Sequence, residues 1–139
     1  MALHLLKIAV GCDSVEQIAE FQAERLKRLG RLVHYTRHFP RRAEELLDGG
    51  SMYWIVKGLV RARQRLTGFE HGTRPSGGPA CAIGLDPKLV LTRPQPRRPH
   101  QGWRYLEPAD APPDAPKGAA GDDDLPPKMV EELRALGLL

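Results

Sequence analysis

Residues 51–69 have the sequence SMYWIVKGLVRARQRLTGF, and this stretch decides the fold class. After Ser51, the next five residues are apolar or aromatic and end in the β-branched Ile55 and Val56, which favours a strand. Lys57 and Gly58 predict a tight turn, and residues 59–69 then predict a return strand. Ala, Arg, Gln and Leu also favour helix, so a helix over residues 59–66 is the competing prediction. A β-hairpin is therefore the expected centre of the fold.

A helix-start signal lies upstream of this hairpin. Ser14 and Gln17 form a capping-box pattern, in which the Ser14 hydroxyl can accept an amide hydrogen while Gln17 reaches back. Apolar residues then recur at helical spacing as far as Gly30, which can end a helix. The pattern predicts an amphipathic helix over residues 15–29.

The other segments alternate between strands, loops and one short helix. The remaining predicted elements are strands over 3–10, 32–39, 80–85, 89–92 and 103–106, a short helix over 41–47 and a loop over 71–79. Residues 93–102 contain three prolines, so they are predicted to form an extended surface loop. Together the elements predict a small α+β fold with a mixed, barrel-like sheet, one long helix and one short helix.

The composition changes after residue 106. Residues 1–106 are predicted to form one basic globular α+β domain. Residues 107–125 are rich in Pro, Ala and Asp, which is typical of a linker. Residues 126–139 predict a short amphipathic helix, which should dock on a partner or fray because it is too short to be stable alone. Its apolar residues at helical spacing are Met129, Val130, Leu133 and Leu136.

Charge is divided unevenly between this domain and the tail. Residues 1–106 carry eighteen Lys and Arg against nine Asp and Glu, whereas residues 107–139 carry three against eight. Fourteen of the eighteen cations are Arg, which suits bidentate recognition of phosphate. The domain therefore favours RNA or another polyanion as its partner. The flexible acidic tail could fold back over the basic face and compete with that polyanion.

Arginine and aromatic residues define the candidate binding site. Guanidinium groups contact phosphates, and exposed Tyr or Trp rings stack on unpaired bases. The predicted phosphate contacts are Arg37, Arg41, Arg61, Arg63, Arg97, Arg98 and Arg104. The predicted stacking residues are Tyr53, Trp54 and Trp103. The open alternatives are solvated or self-paired arginines and a Trp103 that belongs to the core.

Signals of catalysis and of metal binding are weak. His34 and His38 would share a strand face about 13 Å apart, too far to hold one metal ion. Cys12 lies before the predicted helix, where a thiolate could be stabilised, but no His base can be assigned to it. We therefore predict no metal, no cofactor and no assignable catalytic residue. Two cysteines without a CxxC spacing favour a cytoplasmic location, and no apolar run reaches the roughly 18 residues of a membrane span.

Three blocks of sequence resemble the bacterial domain of unknown function 1489 family. They are LHLLK and VGCDSV within residues 3–15, TRHFPRRAEELLDGGSMYW at 36–54 and RRPHQGWRYL at 97–106. The resemblance covers residues 3–115 and leaves the rest of the acidic tail outside it. That family has no established activity, so the resemblance implies no ligand. The element order is also similar to small PUA-like barrels of the ASCH and EVE types, which often bind RNA or modified bases.

These observations lead to three hypotheses about function. The first is noncatalytic binding of RNA or a nucleotide-like anionic ligand through an Arg-rich, aromatic-containing face. The second is a protein-interaction module that docks through the C-terminal helix. The third is a small enzyme acting on an anionic substrate near Tyr53 and Trp103. Nucleic-acid binding predicts the Arg groups on one face, whereas an enzyme predicts a deep pocket with convergent polar groups.

Overall fold

The computed structural model describes residues 2–74, 76–98 and 100–115. Within these residues the chain forms two α-helices and one mixed sheet of seven strands, so the predicted α+β class is confirmed. The helices are α1 (Val15–Leu29) and α2 (Ala43–Leu47). The strands are β1 (His4–Ile8), β2 (Val33–Thr36), β3 (Ser51–Val56), β4 (Leu59–Thr73), β5 (Pro79–Leu85), β6 (Val90–Pro96) and β7 (Trp103–Leu106). The helix predicted over residues 126–139 lies outside the described residues.

Strand β4 organises the sheet because two groups of strands share it. Its first half pairs with β3 on one edge and with β6 on the other, and its second half pairs with β5. The strand order is β2-β5-β4-β3-β1-β7, with β6 beside β4, and the β1–β3 pair alone is parallel. Strands β2 and β7 lie at opposite ends of this order and do not pair. The sheet is therefore not closed, the barrel-like prediction is wrong, and the PUA-like resemblance is not confirmed.

The capping residues of α1 form the contacts that the pattern predicts. The Ser14 hydroxyl accepts from the Gln17 N–H at 3.2 Å, while Gln17 Oε1 accepts from the Asp13 N–H at 2.5 Å. Gly30 takes a left-handed φ of 77°, and its N–H donates to the Leu26 carbonyl. The buried residues of α1 are Val15, Ile18, Ala19 and Gln22. Local signals therefore set both ends of this helix.

The β3–β4 hairpin confirms the strand prediction and rejects the competing helix. Lys57 and Gly58 take φ values of 51° and 79°, which suits a two-residue hairpin turn. Strand β4 then continues to Thr73, and β5 begins at Pro79. The loop predicted over residues 71–79 is shorter as a result, because β4 and β5 pair as far as these two residues.

Strand β6 includes two of the prolines that predict a loop. The Arg97 N–H donates to the Gly58 carbonyl at 2.9 Å, so the amide of this residue faces β4. Because amide direction alternates between neighbouring strand residues, Pro96 places its nitrogen on the opposite edge, where no donor to β4 is lost. The loop prediction for residues 93–102 is therefore wrong as far as Pro96.

A buried polar network ties α1 to the sheet. Gln64 of β4 is fully buried and exchanges two hydrogen bonds with Gln22 of α1, at 2.7 and 2.6 Å. Gln64 Oε1 also accepts from Trp54 Nε1 at 2.8 Å, and Gln64 Nε2 donates to the Asp86 carbonyl at 3.1 Å. A buried amide satisfied on both ends fixes the positions of its neighbours. The network holds Trp54 in the core.

Residues 107–115 pack against the sheet, and we call them the strap. Pro108–Asp110 form a 3-10 turn, and Asp114 forms a bridge with Thr92 of β6. Ala111 packs against a second apolar cluster formed by Leu6, Tyr53, Ile55, Val60 and Leu106. The packed part of the chain therefore continues beyond residue 106, into the first nine residues of the predicted linker.

Candidate anion-binding site

The loop between β2 and α2 is held against the edge strand β7. Trp103 Nε1 donates to the His38 carbonyl at 3.0 Å, and the Tyr105 hydroxyl accepts from the Arg42 N–H at 3.1 Å. The Trp103 and Tyr105 rings meet edge to face at 5.0 Å. We call residues 37–42 together with Trp103–Tyr105 the Trp103 surface. It brings two sequence regions of the predicted site together.

The predicted cations Arg37 and Arg41 lie in this loop. Both are exposed, and neither forms an ion pair within the residues that the structure describes. Arg42 differs, because its guanidinium bonds Glu45 at 2.5 Å and Glu107 at 3.5 Å. It also lies 5.5 Å from the centre of the Tyr105 ring. The loop therefore offers two cations without a counter-ion beside one that is neutralised.

Arg63 and Arg97 lie elsewhere and hold the strap. Arg63 binds the Asp114 carboxylate through two hydrogen bonds, at 2.6 and 2.7 Å, and donates to the Ser51 hydroxyl at 3.1 Å. Arg97 donates to the Asp110 carbonyl at 3.0 Å. Phosphate would have to displace these partners to reach either side chain.

The other three predicted cations are more scattered. Arg61 lies at the irregularity between Val60 and Ala62 in the pairing of β4 with β6. Arg98 is exposed in the segment before β7. Arg104 is exposed, but strand alternation directs its side chain to the face opposite Trp103. The predicted phosphate contacts are thus divided between surfaces and do not form one continuous face.

Of the three predicted stacking residues, only Trp103 is partly exposed. Trp54 is 4% exposed and Tyr53 is 5% exposed. Trp54 is enclosed by the main core, and Tyr53 lies in the second cluster beneath the strap. Neither ring therefore offers a free face to a base, whereas Trp103 packs against the main core but stays partly exposed.

A basic group that the sequence does not reveal lies beside Trp103. Lys7 is the register partner of both Trp54 and Trp103, so the three side chains share one face of the sheet. The His34 ring contacts Trp54 edge to face at 5.4 Å. Burial, followed by the charges of Lys7 and Arg25, lowers the pKa of His34 to about 4. Burial also lowers the pKa of Lys7.

Neither cysteine has the environment of an activated nucleophile. Burial, with a smaller effect of the Asp13 carboxylate, raises the pKa of the Cys12 thiol. Burial raises the pKa of Cys81 to about 11. A raised pKa keeps a thiol protonated at neutral pH, so neither group is poised as a thiolate.

Among the described residues, no group of three or more His, Cys, Asp or Glu side chains is placed to hold a metal ion. A cavity of about 340 Å³ lies between the end of α1 and the β4–β5 pair, with Arg31 and Glu70 among its lining residues. None of the predicted site residues lines this cavity. Neither helix in the described ranges is long and apolar enough to cross a membrane.

The fold and the Trp103 surface define a small α+β protein with a basic edge beside a partly exposed indole. The model of the family described as "Protein of unknown function (DUF1489)" matches residues 5–139, and the chain belongs to that family. The match reaches the last residue, so the expectation that the acidic tail lies outside the family is wrong. No curated protein and no solved structure shows a significant match to the chain.

Proposed function

We propose that this protein binds RNA, or a nucleotide-like anionic ligand, noncatalytically at the Trp103 surface and in the cytoplasm. One observation carries the proposal. Arg37 and Arg41 have no ion pair within the described ranges, and they lie on either side of His38, whose carbonyl is held by Trp103. Unneutralised guanidinium groups next to a partly exposed indole are a combination that suits the binding of single-stranded nucleic acid.

The loop is also anchored in a way that favours binding. Trp103 holds it at His38, and Tyr105 holds it at Arg42. A loop fixed at two points loses less conformational entropy when a ligand arrives. Trp103 uses its ring nitrogen in this anchoring, and the exposed part of its ring would stack on a base.

The charge around the surface supports an anionic ligand. The packed part of the chain as far as residue 106 has twice as many Lys and Arg as Asp and Glu. The described ion pairs of Arg42 and Arg63 include two strap carboxylates, those of Glu107 and Asp114. Since Arg63 and Arg97 are engaged by the strap, the Trp103 surface is the better candidate for the first contact with a polyanion. The protein-interaction alternative depends on Met129–Leu136, which lie outside the described residues.

The test is the binding of fluorescent single-stranded RNA, duplex RNA and DNA to the purified protein across a salt series. Contacts with about three phosphates of a single strand would give a log–log salt slope of about −2. We expect single-stranded RNA to bind most tightly, because only unpaired bases can stack on Trp103. No binding of any of these nucleic acids at low salt would reject the proposal and favour a protein partner.

A pair of double variants tests the location. Arg37→Ala with Arg41→Ala should weaken binding of single-stranded RNA by about tenfold or more and reduce the salt slope by about 1.4. Lys27→Ala with Arg28→Ala, on the exposed last turn of α1, removes the same charge elsewhere and should change the affinity by less than about twofold. Equal weakening by both pairs would show that net charge, and not the Trp103 surface, determines binding.

A further inference from the structure

Three basic side chains from three elements are brought together around His34, which packs against Trp54. Lys7 comes from β1, His34 from β2 and Arg25 from α1, and the charges of Lys7 and Arg25 both act on the His34 ring. Trp54 and Trp103 flank Lys7 through the strand register, and His34 packs against Trp54. We call this group, Lys7, His34 and Arg25 with the two tryptophans, the Lys7–His34 recess. Strands β1 and β2, which carry Lys7 and His34, do not pair with each other.

The polar groups of the recess are not satisfied by the protein. His34 Nε2 is buried and has no hydrogen-bond partner among the described residues. Lys7 is half-buried, and in the described ranges its ammonium forms neither an ion pair nor a side-chain hydrogen bond. Arg25 is anchored by donation to the Val33 carbonyl at 3.2 Å. A buried polar group without a partner is costly, so a ligand that supplies the missing partner would be favoured.

We propose that the Lys7–His34 recess binds a terminal phosphate monoester of the ligand. A phosphate oxygen can accept from the Lys7 ammonium and from the His34 ring N–H, while the Arg25 charge adds attraction. A monoester carries a charge of about −1.5 to −2 at neutral pH, which suits two neighbouring cations better than the single charge of a diester. A terminal group can also enter a recess end-on, whereas an internal phosphodiester carries a sugar on each side.

This inference rests on the proposed function, because Lys7 shares its face of β1 and β7 with Trp103. It adds a specificity that the Trp103 surface alone does not provide. Arg37 and Arg41 would contact internal phosphates without regard to the end of the strand, while the recess would recognise the end. A free nucleoside monophosphate and the 5′ end of an RNA share this chemistry.

The experiment compares three oligoribonucleotides of one sequence, with a 5′-phosphate, a 3′-phosphate or hydroxyl groups at both ends. Fluorescence anisotropy at fixed salt should show about tenfold tighter binding of one phosphorylated form. Lys7→Met, which keeps the apolar stem, should reduce this preference to less than about twofold, whereas Lys27→Met on the exposed face of α1 should retain it. Inorganic phosphate should compete with the phosphorylated oligonucleotide, and acetate should compete poorly because it carries a single charge.

The outcomes separate the two proposals. Equal affinity for all three oligonucleotides would overturn the proposal for the recess and would not contradict RNA binding at the Trp103 surface. Absence of all RNA binding would reject the proposal that the Trp103 surface binds RNA. The proposal for the recess would then be tested by the His34 ring resonances in NMR spectra. Inorganic phosphate should shift those resonances in the wild-type protein, and unmoved resonances would overturn the inference. This measurement needs no variant, so it stands even if Lys7→Met does not fold.

Discussion

Arg63 and Asp114 meet in two parallel hydrogen bonds, from Nε to Oδ1 at 2.6 Å and from the terminal nitrogen to Oδ2 at 2.7 Å. The pair joins β4 to the strap. Arg63 also donates to the Ser51 hydroxyl at 3.1 Å, so a single guanidinium connects β3, β4 and the strap. This fork geometry is the strongest form of an Arg–carboxylate contact. Residues with the composition of a linker are thereby held on the sheet.

Asp114→Asn should lower the free energy of unfolding by about 1 kcal/mol at neutral pH, a modest loss because the Asp114 side chain is 44% exposed. Hydrogen bonds from Arg63 hold the pKa of Asp114 below its ordinary 3.8. A carboxyl with a lowered folded pKa contributes stability above its unfolded pKa and loses it as the pH falls through the folded value. The free energies of unfolding of the two proteins, measured by urea titration, should therefore differ at about pH 7 and converge as the pH falls through the lowered folded pKa of Asp114. A gap that persists at the lower pH would contradict this account.

Glu107→Gln should tighten binding of single-stranded RNA at low salt by about two- to threefold. The Glu107 carboxylate lies 3.5 Å from Arg42, and its removal leaves Glu45 as the described counter-ion of that guanidinium. Asp110→Asn is the matched control, because Asp110 is exposed on the same strap and meets Arg97 through its backbone carbonyl. The comparison is made by fluorescence anisotropy, and equal tightening by both variants would attribute the effect to net charge alone.

Gln64→Leu should destabilise the protein by about 2–4 kcal/mol, because it leaves Trp54 Nε1 and the Gln22 amide buried without their partner. Gln22→Leu should be damaging for the same reason. The two losses should not add, since the second substitution removes a group that the first had already orphaned. Chemical denaturation of the two single variants and the double variant measures this coupling. Additive losses would show that the network is not a unit.

Gly50→Ala should cost about 3 kcal/mol or more, or prevent folding. A Cβ at this position would overlap the carbonyl oxygens of Leu46 and Leu3, which are backbone atoms held within α2 and before β1. Gly68→Ala is the control, because a Cβ there has no heavy atom within 4 Å. Its effect should stay within about 1 kcal/mol in thermal or urea unfolding. Similar losses at both positions would exclude the steric explanation.

The pKa of His34, lowered to about 4, predicts a stability change with pH. In the unfolded chain His34 has its ordinary pKa of 6.5. Between these two pKa values unfolding takes up a proton, so the free energy of unfolding falls as the pH falls. The contribution of neutral His34 to the free energy of unfolding is therefore complete above about pH 6.5 and lost by about pH 4. This contribution totals about 3 kcal/mol. His34→Gln should have a flatter profile across this range, as measured by urea titration. An unchanged profile would place the titrating group elsewhere.

The elements that the sequence predicts well are those with local causes. The limits of α1 follow from Ser14 and Gly30, and the β3–β4 turn follows from Lys57-Gly58. Strand β6 is different, because Pro96 has loop propensity and becomes a strand residue only through pairing with β4. Propensity cannot anticipate a partner that lies more than thirty residues away.

The site is predicted only in part for a related reason. All six residues of β3 are buried, because the main core covers one face and the strap's Ala111 packs on the other. Alternation along a strand identifies two faces but cannot say which is solvent-exposed, so Trp54 and Tyr53 give the same sequence signal as Trp103. The Trp103–His38 contact joins positions 65 residues apart, and no spacing reveals it. Lys7 and His34 come from strands that do not pair with each other, so no spacing in the sequence links them.

Strand β1 lies inside the sheet, between β3 and β7. It pairs with residues 52–55 on one edge and with residues 103–106 on the other. The ribosome synthesises both of these segments long after β1 itself. A nascent chain must carry this apolar strand without its second partner until Leu106 has left the ribosome. Contacts at such separation close slowly, and exposed strand edges invite association with other chains. The sheet should therefore finish folding only after all of its strands have been synthesised. A fragment of the chain that ends before β7 should aggregate.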